Sequence, residues 1–146
     1  GIPDAILLKR GEHTPEEQAI MRQHTVIGHD ILRDRASKYL QLGAIIALYH
    51  HERYDGSGYP HGLKGEAIPV AARIVAVADV FDALTSVRPY KPAWPIERAF
   101  AYVREVRGTQ LDPECADRFL EQAESVAYIA QQFRDTIDPR LRPPLP

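Results

Sequence analysis

Apolar positions recur at helical spacing in five stretches of the chain, and no stretch alternates apolar and polar residues as a half-buried strand would. Thr14 announces the first stretch, with Pro15 suited to the first helical position and Glu17 placed to complete a capping box. Ile20, Met21, His24, Ile27, Gly28, Ile31 and Leu32 then share one face, which predicts a helix ending near Arg33–Ala36. Residues 1–13 carry no clear period and are expected to be a lead-in.

A second helix is predicted from Tyr39 to about Arg53, with Leu42, Ile45, Ile46, Leu48 and Tyr49 as its apolar positions. Asp55 to Ala67 holds four glycines and one proline and reads as a loop. Pro69 opens a strongly apolar third helix from Val70 to about Ser86, which Arg88-Pro89-Tyr90-Lys91-Pro92 breaks into a short loop. Pro95 starts a fourth helix that Gly108 closes, and Asp112 caps a fifth, with Pro113 in its first turn, running to about Arg134. The expected fold class is all-α, a bundle of about five main helices over residues 1–134, with a Pro-rich tail over 135–146 that is extended or frayed.

Composition narrows this only slightly. A chain of 146 residues is about one domain, and a hydrophobic share of 45% with 26% charged residues is ordinary for a globular protein. A net charge of −2 gives no blanket attraction to nucleic acid or membrane, so neither a nucleic-acid polymer nor membrane insertion is expected. No apolar run reaches the roughly 18 residues of a membrane span, no signal peptide is visible, and the one cysteine rules out an internal disulfide. A cytoplasmic location is expected, with Cys115 a small packed residue on a helix rather than a nucleophile.

The chemistry concentrates in His50-His51-Glu52-Arg53-Tyr54-Asp55-Gly56-Ser57-Gly58-Tyr59-Pro60. Neighbours on a helix diverge by about 100°, so His50 and His51 do not both fill one apolar face. They are either a surface pair or metal ligands at a helix end, imidazole being the commonest metal ligand. Asp79 lies in Ile74-Val75-Ala76-Val77-Ala78-Asp79-Val80-Phe81, apolar on nearly every side. A carboxylate there needs a cation, a metal or hydrogen-bond donors, so Asp79 is either a ligand or paired with an arginine such as Arg73. Asp82 supports a ligand, caps or forms an ion pair. His24 alone is a weak signal, and His29-Asp30 is expected to be helix surface.

Together these residues resemble the HD-GYP family of metal-dependent phosphodiesterases that open cyclic di-GMP. The similarity covers about residues 1–122 in family order. It runs from Gly1-Ile2-Pro3-Asp4 through Met21-Arg22-Gln23-His24-Thr25, the Gly58-Tyr59-Pro60 loop, Val77-Ala78-Asp79-Val80-Phe81-Asp82-Ala83-Leu84-Thr85-Ser86, Arg88-Pro89-Tyr90-Lys91 and Gly108-Thr109-Gln110-Leu111-Asp112-Pro113. The resemblance implies the helical bundle of the HD superfamily. It further implies that His24, His50 and His51 ligate one metal of a centre of two or three divalent ions (iron or manganese), with Asp79 closing the neighbouring site. Arg88 and Lys91 match positions that hold substrate phosphate, and Tyr59 lies in the loop lining the pocket, where it either stacks on guanine or packs on its own domain.

Family members also carry an upstream histidine and a His-Asp pair followed by Gly-Lys, directly before the Ile-Pro-Asp stretch. This sequence begins at Gly1-Ile2-Pro3-Asp4. The bridging aspartate and the lysine are therefore absent from it, and the chain alone is expected to be inactive or nearly so. The implied product is linear pGpG, GMP or both, with a receiver or other sensory domain upstream. The reading from a different class is a non-catalytic output module that docks a partner such as a diguanylate cyclase.

Overall fold

The computed structural model describes residues 1–9, 11–86 and 92–134. Within them the chain is helical, with no strand; a single isolated bridge joins Arg107 and Leu111. Eight α-helices follow in order: α1 (Asp4–Leu7), α2 (Pro15–Arg22), α3 (His24–Leu32), α4 (Lys38–Tyr49), α5 (Val70–Thr85), α6 (Ile96–Glu105), α7 (Pro113–Glu121) and α8 (Ala123–Arg134). The all-α expectation holds, but the number of helices is corrected. The lead-in contains the short α1, and the first and fifth predicted helices are each divided. Arg88, Lys91 and the Pro-rich tail lie outside the described residues.

The division between α2 and α3 has a local cause. His24 Nδ1 donates to Met21 O at 2.7 Å, and Thr25 Oγ1 donates to Arg22 O at 3.0 Å. Side chains thus take up carbonyls that a continuing backbone ladder would use, a recognised way of bending a helix. The start of α2 follows the sequence: Thr14 Oγ1 accepts from Glu17 N, and Glu17 Oε2 accepts from Thr14 N at 2.8 Å. The second predicted helix stops at Tyr49, with His50 as its cap.

α3 lies along α4, α4 along α5, and α5 meets both α6 and α7. The core sits at that last junction, where Ala76, Val77, Phe81 and Leu84 of α5 meet Ala99 and Val103 of α6, Leu111, and Ala116 of α7. The Phe81 ring lies 4.9 Å from Phe100 and 5.2 Å from Phe119, centroid to centroid, at offset and edge-on angles that aromatic pairs favour. α5 therefore has one face in this core and its other side toward α4, and Asp79 comes from the part of it that lines the site. No described helix is long and apolar enough to cross a membrane.

Candidate functional site

His50 and His51 leave the C-terminal end of α4 together, where His50 N closes the last turn on Ile46 O at 3.0 Å. His50 Nδ1 lies 3.0 Å from both Ile46 O and Ala47 O. Since a carbonyl oxygen only accepts, Nδ1 carries the proton and the lone pair of the neutral ring sits on Nε2. The same logic applies to His24, whose Nδ1 donates to Met21 O. The two Nε2 atoms then face each other at 3.4 Å. Two lone pairs in that position repel unless a proton or a cation lies between them.

His51 completes the group. Ligand atoms of His24, His50 and His51 all lie within 4.8 Å of one another. Burial, followed by the proximity of His50 and His24, holds the His51 imidazole down to about 4, so the ring is neutral at neutral pH. Three imidazoles from two helix ends, with backbone carbonyls fixing the tautomers of two, form a donor set that suits a divalent transition metal. The residues present fit the cation that the sequence reading implies.

The cluster opens into a cavity of about 410 Å³ whose wall includes Arg22, Arg53, Tyr59 and Asp79 beside His50 and His51. Among the described residues Asp79 has no hydrogen bond or ion pair of its own, and the partner named for it from sequence is engaged elsewhere. Arg73 Nη1 pairs with Asp112 Oδ2 at 2.5 Å, and its Nε donates to Ile68 O at 2.9 Å. Asp79 is thus left facing the cavity. Asp82 is exposed and accepts from Ser86 Oγ at 3.1 Å, so it serves the helix end. His29 and Asp30 bond to each other on the surface of α3, away from the cluster. Cys115 is half-buried on α7, where burial and the Asp112 charge push its thiol up, against any nucleophilic use.

Tyr59 stacks on His51, with centroids 4.9 Å apart and planes at 28°, and the Arg22 guanidinium lies 4.9 Å over the same ring. Burial raises the Tyr59 phenol above its ordinary value, so it stays protonated. The ring packs on its own domain while also forming part of the cavity wall.

Three further residues escaped the sequence reading. Glu52 is 4% exposed, and its two oxygens accept from the backbone N–H of His61 at 2.8 Å and of Leu63 at 3.0 Å. Its signal was available: a carboxylate wedged between the histidine pair and a loop rich in orphan amides. Arg22 and Arg53 reach the cavity wall from just before His24 and just after Glu52. Arg53 Nε is buried without a hydrogen bond, 3.9 Å from Asp55 Oδ1. Charges beside ligands in the sequence were the signal there, but nothing local says which way either side chain points.

Gly58 explains how the loop closes so tightly. A Cβ at this position would lie 2.6 Å from Glu52 Cα and from His51 O, and closer still to Arg53 N. Tyr59 N donates to His51 O at 3.2 Å, and the loop's start is sewn to a distant turn by Tyr54 N to Gln110 O (3.1 Å) and Asp55 N to Thr109 O (2.8 Å). The Tyr59–Pro60 peptide is cis.

Comparison with known proteins gives the family of the chain. Residues 1–115 match the HD domain family. The chain is 54% identical over 132 residues to the cyclic di-GMP phosphodiesterase response regulator RpfG of Xanthomonas campestris pv. campestris, covering 90% of this chain and 35% of that protein. It is 52% identical over 135 residues to a cyclic di-GMP phosphodiesterase of Thermotoga maritima, covering 92% of this chain and 37% of that one. It thus spans about a third of the length of these relatives. The crystal structure of a cyclic GMP-AMP-specific phosphodiesterase from Vibrio cholerae superposes with a TM-score of 0.59 at 24% identity, over 92% of this chain and 33% of that one, and shows the same fold. With its family match, its relatives and its histidine cluster beside the Gly58-Tyr59-Pro60 loop, the chain belongs to the HD-domain family, in its HD-GYP branch.

Proposed function

We propose that this chain belongs to a metal-dependent phosphodiesterase domain that hydrolyses cyclic di-GMP to linear pGpG, GMP or both. The convergence of His24, His50 and His51 at the cavity carries this reading. The names of the relatives supply the substrate class, and two guanidinium groups on the cavity wall suit a phosphodiester anion.

In this reading His24, His50 and His51 hold one cation and Asp79 closes a neighbouring position in a centre of two or three iron or manganese ions. Such ions lower the pKa of bound water and neutralise charge on phosphate oxygens. The chain's own groups do the rest: Nδ1–H bonds to backbone carbonyls orient the His24 and His50 imidazoles, and Arg88 and Lys91 take the phosphate. A sensory domain such as a receiver governs the whole protein in the cytoplasm.

The test is reconstitution of the full-length natural protein with Fe²⁺ or Mn²⁺ and assay against a panel of cyclic dinucleotides. The expected result is metal-dependent cleavage of cyclic di-GMP that His50→Ala and His51→Ala abolish. A metal-loaded protein that opens none of them overturns the activity. Cleavage of another cyclic dinucleotide alone overturns the substrate.

A further inference from the structure

Glu52 directly follows the histidine pair, yet it points away from the imidazoles and into the loop. Its carboxylate is 4% exposed and receives two backbone N–H groups, those of His61 and Leu63, just past Tyr59-Pro60. On the near side, Tyr59 N donates to His51 O, and the absence of a side chain on Gly58 lets the loop rest on Glu52 and Arg53. The loop is thus fastened on both sides of Tyr59, in each case to the residues that present the imidazoles. The ring so placed stacks on His51 under the Arg22 guanidinium.

We infer that Glu52 is a positioning residue, which fixes the Tyr59 loop against His50 and His51 so that cavity wall and metal ligands keep one geometry. Two short bonds to a buried carboxylate specify orientation in a way that one contact does not, because the bracket resists both sliding and rotation of the loop. An amide in the same place accepts with one oxygen only and turns its NH₂ toward the other amide, so Glu52→Gln changes one bond and hardly any volume. Losing a hydrogen bond to a charged group typically costs a factor of about 10 to 100 where it acts.

The inference rests on the phosphodiesterase reading for its kinetic arm and is independent of it in its exchange arm. In the metal-loaded full-length protein, Glu52→Gln should raise KM for cyclic di-GMP by about ten-fold, lower kcat less, and leave the bound-metal content unchanged. Hydrogen exchange at the His61 and Leu63 amides should accelerate by at least about ten-fold, while amides in the α5–α6–α7 core keep their protection. Tyr59→Leu should reproduce the KM effect without the exchange effect. An unchanged kcat/KM in folded, metal-loaded Glu52→Gln overturns the positioning role and leaves a purely structural one. Loss of metal in proportion to activity also overturns it, since Glu52 would then act on the ligands. If the natural protein opens no cyclic dinucleotide, the phosphodiesterase reading fails alone, and unchanged exchange at His61 and Leu63 overturns the bracket itself.

Discussion

Replacing Asp112 by alanine removes two interactions from a side chain that is only 3% exposed. Its Oδ1 accepts from Cys115 N at 2.9 Å, capping α7, and its Oδ2 meets Arg73 Nη1 at 2.5 Å, tying α7 to the first turn of α5. Loss of such a cap costs about 1 kcal/mol. Loss of one partner of a buried ion pair costs about 3–5 kcal/mol, and the lower end applies because the Arg73 side chain is 18% exposed and can still meet water. Asp112→Ala should therefore destabilise by about 4 kcal/mol, and Asp112→Asn, which keeps an accepting oxygen for the cap, by about 3 kcal/mol. Urea unfolding followed by far-UV circular dichroism measures both, and a cycle with Arg73→Met isolates the pair.

The pH dependence has a definite sign. Burial raises the Asp112 carboxyl, but the Cys115 amide and the Arg73 guanidinium outweigh it and hold the group below the ordinary carboxylate range. A lowered folded-state pKa contributes stability that is complete above the unfolded value of about 4 and is lost as pH falls through the folded one. Wild type should weaken below about pH 4 more steeply than Asp112→Asn. A cost under about 1 kcal/mol for Asp112→Ala, or a coupling to Arg73 under about 0.5 kcal/mol, would refute the argument.

Other perturbations reach the loop, the core and the cluster. Gly58→Ala forces a methyl group to within 2.6 Å of backbone atoms of His51 and Glu52 and should cost more than about 2 kcal/mol by thermal melting; a neutral result would mean the loop sits higher than described. Phe81→Ala empties the space between Phe100 and Phe119 and should cost about 3–5 kcal/mol in the same measurement, so a loss under about 1 kcal/mol would contradict the packing. Mn²⁺ at 100 times its dissociation constant should stabilise the natural protein by about 2.7 kcal/mol, and His24→Ala should remove most of that gain. Equal stabilisation of wild type and variant would place the ion elsewhere.

The sequence was most legible where a signal is local. Thr14, Glu17, Asp112 and Pro113 each mark a helix start that the structure contains, because capping depends on residues three apart and on little else. The divided first helix was illegible for the opposite reason. His24 and Thr25 occupy good helical positions, and the break arises only when their side chains turn back onto Met21 O and Arg22 O. For the site, residue types pointed to His24, His50, His51 and Asp79, while the arginine offered as the alternative partner of Asp79 is engaged by Asp112. Arg73 is nearer in sequence to Asp79 than to Asp112, yet the fold carries the start of α7 back against α5. Glu52 stands in the sequence between the histidine pair and a loop rich in amides, but no residue pattern says that it takes those of His61 and Leu63.

The seam between the loop and the Thr109–Gln110 turn also sets an order of assembly during synthesis. Tyr54 and Asp55 leave the ribosome long before the carbonyls they bond to, which arrive only after α6 has been made. A nascent chain halted at α6 can carry all three histidines and the whole Gly58-Tyr59-Pro60 segment, yet the Tyr54 and Asp55 amides still lack the carbonyls they bond to. The imidazoles that emerge early thus wait for a turn that emerges late, and metal offered to such halted chains should be retained less well than metal offered once Leu111 is out.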